Sequence, residues 1–591
     1  MTQKLTQSIN VARRVIHERP AARVFAICLF ALLLSAPSLV EAQQRRGASS
    51  ARQGAQQRQP AQRGNGSSVV REAAVLLQAG RLEEAETSAR AAVASAPRDS
   101  EAHALLGVIL EQRGRAEEAE RELREALRLD PRSTAALTDL GVLLVRNARS
   151  EEAARVFEEV LRLAPSNALA AYNLGLLYVA RNDYAHAVPL LERAAGVKSG
   201  RASGANSSKS EQSKSEQLPA MLALVTAYLG AGRANDAAPL ADKIERNGAG
   251  DARALFSLGL AVAEGGDYER AARLFSRTNE LKPDTYEVLF NLGVALFNAA
   301  RLDESQSALR RAATLRPDEP EVFYHLGLVA SARGESENAL GLWQRALKLR
   351  PVYPEATFMI AEELVKNRRN ERAVSFYETA VSQDPSKPVY HARLGVAHFR
   401  ARRYQQARET FEHALKLFPD DANLNFLAGY ASRAEGQFDL ALKYFQRASE
   451  LQPDNAETYA NLGFLTAERG HNEDAERLLR RALSINANNY PATYDLGRLL
   501  VRLKRYDEAL PLLERGARLV KDDPGVHYQL FLVYSRLKRK DDADRELATF
   551  KTLEEARKAA DAGTPVKSQG ELSPPDAAAP KVGGAQKPPS R

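Results

Sequence analysis

The feature that most constrains the fold of this chain is a pattern of 34 residues that recurs along most of its length. Residues 320–353 form a clear copy, whose marker residues are Leu326, Gly327, Gly334, Ala339, Trp343, Ala346 and Pro351. Small residues such as Gly327 and Ala339 allow two helices to approach closely, and large ones fill the spaces beside them. Gly334 suits a tight turn, and Pro351 ends a helix. The pattern therefore predicts a helical hairpin.

The pattern repeats in register on both sides of this copy. Its eighth position, which is glycine in most copies, recurs at steps of 34 from Ala73 to Gly175 and, after a jump of 50, from Val225 to Phe531. This spacing resembles that of the tetratricopeptide repeat (TPR) family. The resemblance implies an all-α fold, an α-solenoid (right-handed superhelix) of about 14 TPR helical hairpins.

The repeat register also divides the chain. The insertion between its two blocks carries tandem SKSEQ copies and few apolar residues, which is typical of a loop, and both a hinge and a plain surface loop fit that composition. The expected segments are a signal peptide at 1–42, a disordered basic linker at 43–65, repeats 1–4 at 66–196, the insertion at 197–217, repeats 5–14 with a C-terminal capping helix at 218–560, and a disordered Pro/Ala-rich tail at 561–591.

The first 42 residues resemble a secretory signal peptide. Basic residues precede the short apolar run 24–34, and Val40 and Ala42 occupy the positions that signal peptidase reads, which predicts cleavage after Ala42. Cleavage gives an exported protein, periplasmic or secreted. The alternative is an uncleaved signal anchor that holds the repeats outside the cytoplasm. Contact with a membrane is expected only through this region or the basic linker, which we favour as a soluble spacer.

The net charge of +8 is concentrated outside the repeats. Residues 1–42 carry +3, residues 43–65 carry +5 and residues 561–591 carry +1, which leaves −1 for the repeats. A basic groove for nucleic acid is therefore not indicated. The only cysteine, Cys28, lies in the predicted signal, so the mature chain has no thiol for disulfides or zinc.

Catalytic and metal-binding motifs are absent from the sequence. It contains no HExxH, GxSxG, glycine-rich phosphate loop or paired-cysteine motif. The strongest metal candidates are His391, His398 and His413, but two turns of helix, about 10 Å, separate His391 from His398. We expect no enzymatic activity, no cofactor and no metal.

The resemblance implies that the first helix of each hairpin, helix A, lines a concave groove. We expect its aromatic residues to be half exposed and to bind protein or peptide segments, although packing against the next repeat alone would also explain them. The asparagine that the family's carboxylate clamp needs at the ninth position is absent from every copy. The candidate groove residues are Tyr172, Asn173, Phe256, Phe290, Asn291, Tyr324, Phe358, Phe426, Tyr430, Asn461, Phe464, Tyr494 and Tyr528.

Together these features predict an exported, non-catalytic TPR scaffold or adaptor that mediates protein–protein interactions through the concave groove. The alternative is an anchored assembly or accessory factor of a cell-envelope machine, such as a secretion, pilus or exopolysaccharide apparatus. An accessory arm of an enzyme is less favoured, because neither flanking segment is long enough to fold a catalytic domain.

Overall fold

The computed structural model describes residues 66–197 and 211–562, and within these ranges every regular element is an α-helix. The chain divides into two compact units, residues 1–333 and 334–591. The described helices of the first unit are α1 (Gly66–Gln78), α2 (Leu82–Ser95), α3 (Ser100–Gln112), α4 (Ala116–Leu129), α5 (Thr134–Arg146), α6 (Ser150–Leu163), α7 (Ala168–Ala180), α8 (Tyr184–Ala195), α9 (Glu211–Gly230), α10 (Ala234–Asn247), α11 (Ala252–Glu264), α12 (Tyr268–Leu281), α13 (Tyr286–Asn298), α14 (Leu302–Leu315) and α15 (Pro320–Ala332).

The second unit continues the same alternation of short helices. Odd-numbered helices are helix A of a repeat and even-numbered helices are helix B, so the predicted hairpin register is confirmed. The helices are α16 (Ser336–Leu349), α17 (Pro354–Lys366), α18 (Asn370–Gln383), α19 (Pro388–Arg400), α20 (Tyr404–Leu417), α21 (Ala422–Ala434), α22 (Phe438–Leu451), α23 (Ala456–Glu468), α24 (Asn472–Ile485), α25 (Tyr490–Arg502), α26 (Tyr506–Leu519), α27 (Pro524–Arg536) and α28 (Lys540–Ala562).

In most hairpins the core is built where the glycine of helix A faces a large side chain of helix B. At Gly141 in α5, an added Cβ would lie 2.6 Å from Cε1 of Phe157, whose ring is fully buried. At Gly107 in α3, the corresponding atom is Cγ of Leu123, at 2.7 Å. The close approach predicted from the repeat is thus confirmed. It requires glycine because no side chain fits between the two helices.

The turn inside each hairpin uses one residue in the left-handed backbone region. Gly334 has a φ of +81°, as its position in the pattern predicts. The same turn is kept at Arg368 and Lys504, with φ values of 61° and 60°. Residues with a Cβ are strained in this region, so the packing of the hairpin imposes the turn even where glycine is missing.

Ion pairs on helix B join successive repeats, which the sequence reading did not anticipate. Glu120 in α4 pairs within its own helix with Arg124, as expected for residues four apart, but it also pairs with Arg149 of the next repeat at 2.8 Å. Glu476 accepts in the same way from Arg480 and Arg505. The charged residues therefore lie on a solvated face and also link neighbouring hairpins.

Two expected boundaries change. The insertion was expected to be a loop through residue 217, but α9 begins at Glu211, so the second SKSEQ copy is helical. This copy consists of Ser, Lys, Glu and Gln and contains no glycine or proline, so a helix extends through it at little energetic cost. The capping helix runs to Ala562 rather than residue 560. The predicted signal peptide, the basic linker, insertion residues 198–210 and tail residues 563–591 lie outside the described residues.

Candidate functional site

The candidate groove residues all lie on helix A elements. Six belong to the first unit, on α7, α11, α13 and α15. Seven belong to the second unit, on α17, α21, α23, α25 and α27. Because side chains at equivalent positions of successive helices face the same way, the repeat places each set along one face of its unit.

In the first unit, three aromatic rings are half buried as expected. Phe256 packs against Phe275 of helix B with ring centroids 5.5 Å apart. Phe290 is held between Tyr286, at 5.8 Å, and His325, at 5.2 Å. Tyr172 is the third half-buried aromatic residue among the candidates of the first unit. Neighbouring side chains fix each ring, which still remains partly exposed.

Half-buried leucines extend this aromatic set along the first unit. Leu222 and Leu229 of α9 and Leu260 of α11 pack against the core and remain partly exposed. We call the surface formed by Tyr172, Phe256, Phe290 and these three leucines the apolar track. Apolar side chains that stay partly exposed on rigid helices are typical of protein-binding surfaces.

His325 lies at the edge of the apolar track and is uncharged at neutral pH. Burial lowers its pKa to about 4, because its environment disfavours the imidazolium. Its Nδ1 makes no hydrogen bond within the described residues. The ring therefore acts as an aromatic partner of Phe290 and adds no charge to this part of the surface.

Three predicted groove aromatics are buried, which corrects the expectation that they are half exposed. Tyr324 is 4% exposed, Phe358 is 1% and Phe426 is 6%. Phe358 is covered by Tyr390 of the next repeat, whose ring stacks on it at 4.7 Å.

The other two also contact aromatic rings of their own repeats. Phe426 contacts both Phe445, at 5.6 Å, and Tyr430, at 6.1 Å. Tyr324 contacts the His325 ring at 5.3 Å. For these three residues the packing alternative is correct.

The groove asparagines are engaged with their own helices. The amide Nδ2 of Asn173 donates to Leu169 O at 2.9 Å, and that of Asn291 donates to Glu287 O at 2.7 Å. Asn173 is buried, whereas Asn291 is half exposed. Asn461 is buried as well and donates to its own helix at 2.8 Å. Of the three, only the half-exposed Asn291 can offer a partner its carbonyl oxygen, because Asn173 is buried and the oxygen of Asn461 accepts from Arg433.

The second unit keeps Tyr430, Phe464 and Tyr494 half buried and Tyr528 exposed, but it surrounds Phe464 with charge. The Arg433 guanidinium lies 4.1 Å from the Phe464 ring centroid, and that of Arg498 lies 5.4 Å away on the same ring. We call Arg433, Asn461, Phe464, Asp495 and Arg498 the arginine cluster. The charges of this cluster were not among the residues expected from the sequence, although both arginines lie on helix A, which the resemblance places along the groove.

Asp495 is the half-buried acid of the arginine cluster, and its side chain is 14% exposed. Burial raises its pKa to about 6, and the opposing effects of Arg498 and Arg433 do not offset it. Arg498 Nη2 lies 3.6 Å from Asp495 Oδ1 and 2.9 Å from Glu468 Oε1. The charged form of Asp495 is therefore disfavoured in the folded protein.

We expect Asp495→Asn to stabilise the protein more at neutral than at acidic pH. The unfolded Asp has a pKa near 3.9, and the folded pKa is about 6, so the folded state binds this proton more tightly. The contribution of Asp495 to the free energy of unfolding is therefore highest below about pH 4 and falls as the pH rises through 6. From below pH 4 to above pH 6, the unfolding free energy of the variant should rise by about 2 kcal/mol relative to that of wild type. Urea unfolding followed across this pH range measures it, and a constant difference would contradict it.

The described residues contain no group of three or more His, Cys, Asp and Glu side chains placed to hold a metal ion. His391 Nε2 donates to Pro385 O at 3.0 Å, and the His391 ring lies 6.0 Å from that of His413. Among the same residues, no helix combines the length and the apolar character that crossing a membrane requires.

Comparison with known proteins gives two family matches, both to models described as Tetratricopeptide repeat. One matches residues 70–134, 138–206, 222–284, 324–388 and 392–456, more than half of the chain. The other matches 262–326, 432–483 and 466–530. None of the curated proteins matches the sequence.

Several solved structures are similar to the chain. The C-terminal part of a TPR repeat-containing protein from Cytophaga hutchinsonii has 16% identity and a TM-score of 0.37, covering 41% of this chain and 99% of its own. The APC/C hetero-tetramer Cut9-Hcn1 has 15% identity and a TM-score of 0.33, with coverages of 82% and 96%. Yeast Tom70 has 13% identity and a TM-score of 0.32, with coverages of 78% and 96%.

Proposed function

Because the chain belongs to the tetratricopeptide repeat family, we propose that it is a non-catalytic scaffold whose apolar track binds an extended or helical segment of a partner protein. The observation that carries this proposal is the half-buried state of Phe256 and Phe290. Each ring packs against one or two other aromatic rings and remains partly exposed.

Rigid, half-exposed aromatics are well suited to this task. Their side chains lose little conformational freedom on binding, because packing already holds them in place. They also carry a large apolar area into an interface, and such residues supply much of the affinity at interface centres. The accessible part of the groove in the first unit is therefore proposed to run along Tyr172, Phe256 and Phe290, and to exclude Tyr324.

A test is the loss of partner capture when one ring of the track is removed. We expect Phe290→Ala to weaken capture by about 2 kcal/mol, since an anchor ring of this kind is typically worth that much in binding. The purified protein serves as bait for an envelope fraction. The retained partner is identified by mass spectrometry, and its affinity for wild type and variant is then measured.

Phe358→Ala is the matched control, because Phe358 occupies the same repeat position but is 1% exposed. It should lower stability without a separate effect on binding. Retention of full affinity by Phe290→Ala, or equal destabilisation by both changes with capture intact, would argue against the apolar track as the binding site.

We also propose export, supported by the basic residues, short apolar run and Val40–Ala42 pair of the N-terminal segment. N-terminal sequencing of the mature protein should begin at Gln43. Recovery of Met1 in a membrane fraction would favour the alternative, an anchored assembly or accessory factor of a cell-envelope machine.

A further inference from the structure

The two arginines of the arginine cluster differ in how their charge is balanced. Arg498 contacts two carboxylates, those of Glu468 and Asp495. Arg433 has no carboxylate within ion-pair distance among the described residues of its unit. Its Nη1 donates to Asn461 Oδ1, which is a neutral acceptor.

Arg433 is also partly withdrawn from water. It stacks on Phe464, and burial lowers the pKa of its guanidinium. Asp495 and Glu468 attract this cation only from beyond ion-pair distance, so the cost of withdrawing it from water is incompletely offset. An incoming anion in direct contact relieves that cost. Asn461 and Phe464 meanwhile fix the orientation of the guanidinium fork before any ligand arrives.

We propose that the arginine cluster binds a carboxylate of an acidic side chain in the bound segment, through Arg433. A guanidinium presents paired donors that match the two oxygens of a carboxylate. A singly charged carboxylate is favoured over a phosphate dianion, because the nearby Glu468 and Asp495 repel two negative charges more strongly than one. This inference rests on the proposed function, since it specifies part of the segment that the scaffold binds.

The site differs from the carboxylate clamp discussed above. That clamp needs asparagine at the ninth position of helix A, whereas here the ninth positions are Tyr430, Phe464 and Arg498. The anion is instead received by an arginine one helical turn further along, on α21, with an aromatic ring of α23 beneath it.

The experiment selects peptides from a random, phage-displayed library on four proteins. Wild type should select peptides that share one Asp or Glu position. Arg433→Gln should still select peptides but lose that acidic position, whereas Arg433→Lys, which keeps the charge, should retain it. Arg480→Gln is the control, because Arg480 lies on helix B and pairs with Glu476.

A selected peptide then allows a double-mutant cycle between its acidic residue and Arg433. Replacing its acidic residue by Gln should weaken binding to wild type about tenfold or more and should have little effect on binding to Arg433→Gln. A phosphoserine at that position should bind less tightly than the carboxylate.

The outcomes separate this inference from the function on which it rests. Failure of wild type to enrich any peptide would contradict the proposed scaffold itself. Enriched peptides without an acidic position, an acidic preference that survives in Arg433→Gln, or tighter binding of phosphoserine would overturn the carboxylate site alone. Melting curves followed by circular dichroism confirm that each variant is folded.

Discussion

Replacing Trp343 by alanine is expected to lower the free energy of unfolding by about 3 to 5 kcal/mol. Trp343 is completely buried, as its place in the repeat predicts. Its removal leaves a cavity that small neighbours cannot fill, so the lost burial and the cavity both destabilise the unit. Urea unfolding followed by circular dichroism measures the change, and hydrogen exchange locates it, because repeat arrays can open locally.

Phe438→Ala is the matched control for Trp343. This large ring opens helix B of a later repeat but is 47% exposed. Its removal should change the unfolding free energy by roughly 0.5 kcal/mol or less. A similar loss for both substitutions would mean that Trp343 does not contribute as a packed core residue.

Gly141→Ala is expected to destabilise the protein by up to about 3 kcal/mol, although alanine is the better helix former. The new Cβ would lie 2.6 Å from Cε1 and 2.7 Å from Cζ of Phe157. Because Phe157 is fully buried, its ring can move only by displacing other core residues. Thermal and urea unfolding report the loss.

The same substitution at Gly341 should have the opposite effect on the free energy of unfolding. Gly341 lies within helix α16, and no atom lies within 4 Å of the position its Cβ would take. Gly341→Ala should therefore stabilise the protein by about 0.5 to 1 kcal/mol through helix propensity alone.

A double change identifies the clash at Gly141. In a Phe157→Ala background, Gly141→Ala should cost much less than in wild type, because the ring it meets is gone. Additive costs would show that some other contact makes glycine necessary there.

The substitutions Phe290→Ala and Phe358→Ala separate effects on binding from effects on stability at one position of the repeat. Phe290 and Phe358 occupy equivalent places on helix A, yet the first is half exposed and the second is buried. A scaffold of this design can therefore vary its binding surface from repeat to repeat while the hairpin core stays constant. The glycine of helix A and the large residue of helix B maintain that core in every unit where they meet.

The sequence by itself determined the hairpin register, the all-helical fold and the helix on which each candidate residue lies. These properties follow from contacts within a single repeat. The small residue that permits close approach, the large residue that fills the space and the turn residue recur at fixed separations, so the spacing alone reports them. The burial of Trp343 and the left-handed turn at Gly334 were predicted correctly for the same reason.

Only the tertiary structure decided which groove residues a partner can reach. Exposure at a given position depends on the size of the side chains that its own repeat and the next repeat place around it, and these side chains vary. Tyr390 covers Phe358, whereas no comparable ring is stacked over Phe290 from the equivalent place, which is Val322. The arginine cluster likewise arises from residues on three successive helix A elements, whose charges the repeat pattern does not specify.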